Sequence, residues 1–183
     1  DSEVVAKLWS GYQDQASRSQ DRGNPPTTAT LQDEQFRFSG LDVRYVNHWG
    51  GGNAFTVGGV YYHSDAPFRQ WAEDNLSPDR YDRFGDPCRS TTQTSCENFR
   101  QQRSTDYGAL FAENVFRFEG GWHLVPSVRL EKENVDIDEE IHTLRPPSAL
   151  VDRSVDHFVP LLGIGAGHDF GRGHETYFNV SQG

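Results

Sequence analysis

The segments that join the regular stretches of this sequence alternate strictly between long and short, and that pattern limits the folds open to it. Seven stretches alternate with a period of two, which is the spacing of a β-strand: 3–17, 35–47, 54–64, 105–118, 123–138, 156–170 and 176–183. Short connections containing HWGGGN, EGGW and GRGHE carry the glycines of tight reversals. The others, such as RSQDRGNPPTTATLQDE and the whole of 65–104, are long, polar and charged. Antiparallel strands joined in this order collect every long connection at one end of the sheet and every short one at the other. A transmembrane β-barrel has that asymmetry, whereas a soluble sandwich seldom sorts its loops so completely.

The strand faces agree. In 123–138, Leu124, Pro126, Val128 and Leu130 oppose Ser127, Arg129, Glu131 and Glu133. In 156–170, Phe158, Pro160, Leu162, Ile164 and Ala166 oppose Gly163, Gly165 and Gly167. In 105–118, Leu110, Ala112, Phe116 and Phe118 oppose Glu113 and Arg117. Lipid on one side and an aqueous lumen on the other demand this division. A soluble sheet with its charged face in water satisfies it too, so a secreted β-sandwich binding module stays open here. Composition points to β-structure with one polar face, and the loop asymmetry adds the weight for a membrane. Only 34% of the 183 residues are hydrophobic, too few for a packed core of this size, while 13% are aromatic and 18 are Gly. Trp49, Phe116, Phe118, Trp122, Phe170, Tyr177 and Phe178 gather where strands meet turns, as an interfacial girdle does. Pro126 and Pro160 each remove a ladder donor and are expected to interrupt their strands. No apolar run reaches the length of a transmembrane helix.

Other functions find little support. A net charge of −10 argues against nucleic acid as a partner. GIGAGHDFG lies inside an alternating strand and lacks the strand–turn–helix setting of a phosphate loop. The seven histidines show no metal-ligand spacing, DIDEEIH lacks the glycine of a calcium loop, and no nucleophile motif occurs, so neither a metal site nor an enzyme is expected. Cys88 and Cys96 have neither zinc nor redox spacing; they read as a small disulfide loop in an oxidising compartment, or else as two unpaired thiols.

LFAENVFRFEGGWHLVPSVRLEKENVD, with Phe111, Ala112, Glu113 and Asn114 and then Trp122, Leu124, Pro126, Arg129 and Glu131, resembles a segment of the TonB-dependent outer-membrane receptors. Ser127 stands where that family usually has Gly. FVPLLGIGAGHDF and ETYFNVSQG, with Asn179, Ser181 and Gly183, resemble its next hairpin, and LDVRYVNHWGGGNAFTVGGVYYHSD fits an earlier one. The ferric-citrate receptors are the group it is most similar to. The resemblance implies an all-β antiparallel meander of about seven strands, an arc from the C-terminal half of a 22-stranded transmembrane barrel. Residues 1–183 would then be part of the barrel domain, with the plug domain and the remaining strands outside this sequence. YFNVSQG, where the sequence stops in mid-strand, fits that expectation. It further implies import of a ferric chelate, a siderophore or ferric citrate, across the outer membrane of a Gram-negative cell. Energy would come from the TonB–ExbB–ExbD complex through the absent plug, and no cofactor would be permanently bound. A barrel without a plug is the other membrane reading.

Ligand capture would then fall to the long connections. Residues 65–104 interleave arginines with Trp71, Tyr81 and Phe84, and planar guanidinium groups suit an anionic chelate. Arg69, Trp71, Arg80, Tyr81 and Arg83, together with Arg145 from the connection after 123–138, are the candidate ligand-binding residues. A solvated loop of mixed charge is the plainer reading of the same residues.

Overall fold

The structure, a computed structural model, describes residues 1–20, 29–73 and 97–182. These form one antiparallel sheet of strands β1 (Ser2–Gln20), β2 (Ala29–Trp49), β3 (Asn53–Asp65), β4 (Phe68–Glu73), β5 (Glu97–Arg117), β6 (Trp122–His142), β7 (Asp152–Gly171) and β8 (His174–Ser181). Their order is β1-β2-β3-β5-β6-β7-β8, with β4 paired to β2 and β5. The sheet is thus a seven-lane meander in which β3 and β4 share one lane, broken at Ala66 and Pro67. Register is kept across the break: Arg37 faces Asp65 on one side and Glu34 faces Phe68 on the other. Pro67 has no N–H to donate, yet its carbonyl accepts from Gln35 N at 3.1 Å, and Ala66 N donates to Arg103 O at 2.8 Å.

At the long-connection end the strands run further than apolar alternation indicates. β2 begins at Ala29 rather than 35, β5 at Glu97 rather than 105 and β7 at Asp152 rather than 156, while β6 ends at His142 rather than 138. Within 65–104, expected to be loop, residues 68–73 are therefore β4 and 97–104 the first part of β5. The added segments, such as ATLQDE and ENFRQQRS, are mostly polar, with Leu31 and Phe99 isolated among polar residues, so they carry no sustained apolar period. Backbone pairing alone extends them.

Both prolines lie inside unbroken strands, contrary to expectation, and the ladder explains how. Phe118 N bonds to Trp122 O, which directs even-numbered β6 positions toward β5. There the β5–β6 pairing skips from Glu113↔Ser127 to Phe116↔Leu124, leaving a gap opposite Pro126. Gln182 N bonds to Leu162 O, so even positions of β7 face β8, and Pro160 lies beyond the last β8 partner, Ser181 opposite Gly163. Pro126 thus coincides with a gap in the β5–β6 ladder, and both strands continue past their prolines. The short turns are tight. Arg172 and Gly173 take φ of 57° and 81°, the left-handed pair of a two-residue hairpin turn.

Among the described residues no second layer covers this sheet. Among the described residues the buried apolar ones are Leu31, Ala66 and Ala109, and no large side chain is fully buried. A β-sandwich would bury one face of each sheet; here both faces are open, and Leu8, Leu162 and Phe178 are 84%, 63% and 70% exposed.

Candidate functional site

The register turns the alternation of each strand into two continuous surfaces. On one, Val4, Tyr45, Val57, Ala112, Val128 and Leu162 form a single cross-strand row. Parallel rows hold Ala6 with Val43, Leu110 with Leu130, and Ile164 with Val180. This apolar band covers positions 41–49 of β2 and 122–130 of β6, nine residues each, close to what a tilted strand needs to cross a bilayer core. Its edge toward the long connections is sharp. The last apolar row is Leu8, Leu41, Tyr61, Gly108, Lys132 and Phe158; the next is Ser10, Ser39, His63, Asp106, Asn134 and Asp156. At the turn end Trp49 meets Phe116 edge-on with ring centroids 6.1 Å apart, and Trp122 and Phe170 flank His168 at 4.6 and 4.4 Å. Tyr177 does not join this girdle. It is paired with Gly167 on the opposite face, while Phe178 is paired with Ala166 on the apolar one.

The opposite surface is charged at the same depth. Arg44 donates from Nε and Nη2 to the two carboxylate oxygens of Asp42, at 2.9 and 2.7 Å. Arg129 donates to Glu131 at 2.5 Å and to the Tyr107 hydroxyl at 2.8 Å, and that hydroxyl donates to Glu131 at 2.7 Å. The Phe111 ring lies between the two guanidinium groups, 5.5 Å from Arg44 and 5.8 Å from Arg129. Three aromatic rings lie against this wall over glycines of the neighbouring strand. A Cβ on Gly40 would come within 2.2 Å of the Trp9 ring, one on Gly11 within 2.2 Å of Phe38, and one on Gly58 within 2.6 Å of Phe111. Charges paired with one another beside apolar rings suit an aqueous lumen, and no bilayer core would accept them.

Toward the long connections the same inner surface becomes a relay of amides. Ser17 Oγ donates to Gln32, Gln32 to Gln70 and Gln70 to Asn98, at 3.2, 3.0 and 3.2 Å, linking β1, β2, β4 and β5. Phe68, Phe99 and His142 pack edge to face beside it. Arg100 is held by Glu97 and, at 3.2 Å, by Glu140; these bonds, Glu97 foremost, raise its pKa further. Among the described residues no group of three or more His, Cys, Asp or Glu side chains is placed to hold a metal.

Of the candidate ligand residues, Arg69, Trp71 and Arg145 are described, and Arg145 lies apart from the other two. Arg69 and Trp71 are in register with Asp33 and Leu31, which puts them on the surface that is apolar further down, not on the inner wall. Arg69 lines a cleft of about 380 Å³ with Asp33, Gln35, Arg37, Asp65, Pro67 and Gln102, where Pro67 interrupts the lane. Arg145 donates from Nη1 to the buried Glu139 at 2.9 Å, and the same carboxylate oxygen accepts from Val151 N at 3.0 Å, closing residues 143–151 over the end of β6. Arg80, Tyr81, Arg83, Cys88 and Cys96 lie outside the described residues. Sequence reasoning did not assemble the Asp42–Arg44–Phe111–Arg129–Glu131 wall. Its members come from three strands, and the one available signal was their place opposite the apolar positions.

Comparisons with known proteins agree with this geometry. Residues 4–183 match the family model described as TonB dependent receptor-like, beta-barrel. The fold is similar to that of the unliganded ferric citrate transporter FecA in its crystal structure, with a TM-score of 0.64 and 14% identity. The likeness covers 97% of this chain and 24% of that one, so the chain spans about a quarter of the transporter's length. Comparison with curated proteins finds no match. The chain belongs to the TonB-dependent receptor-like β-barrel family, and its sheet is a stretch of such a barrel's wall.

Proposed function

We propose that this chain is part of an outer-membrane receptor of a Gram-negative cell that imports a ferric chelate, a siderophore or ferric citrate, with energy supplied by TonB, ExbB and ExbD. The observation that carries the reading is the nine-residue apolar band backed, at the same depth, by a paired-charge wall. That combination suits a lipid-embedded barrel around a wet lumen. Family membership supports the reading, and ferric citrate is the named cargo of the structurally similar transporter. The chelate is cargo, no resident cofactor is involved, and the protein is a receptor, not an enzyme. Residues 74–96 would supply Arg80, Tyr81 and Arg83 to the ligand, with Cys88 and Cys96 joined as a disulfide in the same connection.

The test uses the complete receptor in iron-starved cells, with uptake of radiolabelled ferric citrate and of a ferric siderophore as the readout. Replacing both Arg80 and Arg83 by Ala should weaken apparent affinity by about tenfold or more, the scale of losing charge-assisted hydrogen bonds. Wild-type uptake of every chelate tried, at equal expression, would reject these arginines as ligand residues. No chelate transport even by the unmodified receptor would reject the cargo.

A further inference from the structure

Just outside the apolar band, in the first polar row of the same outward surface, stands His63 of β3. Its Nδ1 is 2.9 Å from Asp106 Oδ1 on β5, and its Nε2 is 3.2 Å from Asp65 Oδ2 on β3. The Tyr61 hydroxyl also donates to Asp106 Oδ1, at 2.5 Å. An ionised carboxylate only accepts, and a neutral imidazole carries one N–H. A neutral ring would satisfy one aspartate and turn a lone pair toward the other. Both contacts are good only when both ring nitrogens carry protons.

We propose that His63 is a protonation-dependent clamp between β3 and β5, closed at acidic and neutral pH and released as the pH rises. It sits at the foot of the strands that lead into and out of residues 74–96. The surroundings favour the cation. From β2, Ser39 is opposite His63, and Arg37 is opposite Asp65 with a bond to Gln35. From β6, Asn134 is opposite Asp106, with Asp136 beyond it and Lys132, which is 3.6 Å from Asp156, in the row below. Arg69 of β4 and Asp33 of β2 line the cleft beside Asp65 and Arg37, so the carboxylates of Asp33, Asp65, Asp106, Asp136 and Asp156 outnumber the cations of Lys132, Arg37 and Arg69 around the ring.

Both partners shift accordingly. The hydrogen bond to Asp106, and after it the one to Asp65, raises the pKa of His63 above its ordinary 6.5, against the opposing effect of burial. The Tyr61 hydroxyl, and then His63, lowers that of Asp106 below its ordinary 3.8. The contribution of His63 is thus complete below pH 6.5 and is lost as the pH climbs through its raised value. The contribution of Asp106 is present above pH 3.8 and is lost only as the pH falls through its depressed value. The clamp therefore holds between those limits and opens on the alkaline side.

This inference is independent of which ligand the receptor carries. The test is hydrogen exchange read by mass spectrometry on the complete receptor in micelles, as protection factors corrected for base catalysis. Peptides covering 61–66 and 103–108 are compared with 160–166 at about pH 6 and about pH 9, below and above the range where histidine titrates. Protection of the first two should drop about two- to five-fold at the higher pH, the range for half-exposed ion pairs, while 160–166 stays level. His63→Gln should show the low value at both pH values; if it does not assemble, Asp106→Asn replaces it with the same expectation. A wild-type profile that does not change with pH, or a variant that keeps the full pH dependence, overturns the proposal.

Discussion

If one face of this sheet meets lipid and the other meets water, a charge added to each face at similar depth must have very different costs. Leu162 and Val159 lie three residues apart on β7, on opposite faces. Leu162 is in the apolar row with Val128, is 63% exposed and has no protein layer over it. Val159 is opposite Glu131 on the charged wall. Leu162→Arg puts a guanidinium into hydrocarbon, which costs roughly 2–4 kcal/mol near the bilayer midplane, or about 30- to 1,000-fold in the folding equilibrium at 1.4 kcal/mol per decade. Val159→Arg places the same side chain in the lumen beside a carboxylate and should stay within about 0.5 kcal/mol of wild type. Reversible unfolding of the complete barrel in lipid vesicles by guanidinium chloride, followed by tryptophan fluorescence and by gel mobility without heating, measures both. Equal effects, or a larger loss from Val159→Arg, would show that the apolar face does not contact lipid and would refute the assignment of the two surfaces.

Two further outcomes follow from the packing. Gly40→Val should cost about 1–3 kcal/mol, because its Cβ falls 2.2 Å from the Trp9 ring and the ring must leave the wall. Gly108→Val, with nothing within 4 Å of its Cβ, should be close to neutral, and the same unfolding assay compares the two. Arg145→Ala deprives the 7%-exposed Glu139 of its charged partner while leaving the Val151 N–H, at a cost of about 1–3 kcal/mol. Limited proteolysis within 143–151 should then speed up, and adding Glu139→Gln should recover part of the loss; unchanged cleavage would mean that the ion pair does not hold the loop.

The parts of the fold that were legible in the sequence are those where physics differs between the two faces. Along 122–130 every second residue is apolar, so the alternation of Leu124, Pro126, Val128 and Leu130 announces both the strand and its orientation. Above the band both faces meet water, and ATLQDE or ENFRQQRS reads like loop even though its backbone pairs fully. Prolines mislead for a related reason. Whether a missing N–H matters depends on which neighbour it faces, and that is a property of register. The candidate ligand residues could be picked out as types but not as a place: Arg69 and Arg145 are both arginines near long connections, yet one lines an outward cleft and the other is committed to Glu139. No local pattern distinguishes them.

The overshoot of the strands has a geometric consequence. From the last apolar row at Leu41, β2 continues for 12 more residues to Ala29, about 40 Å of extended chain at ~3.4 Å per residue. With a tilt of ~40° this becomes a height of roughly 30 Å above the hydrocarbon, several times the depth of a headgroup layer. The arc thus stands well above the membrane at β2, and less so at β7, which runs only from Phe158 to Asp152 past the same row. In the outer-membrane receptor proposed above, a solute reaching the rim beside β2 would still stand about the thickness of a bilayer core above membrane depth.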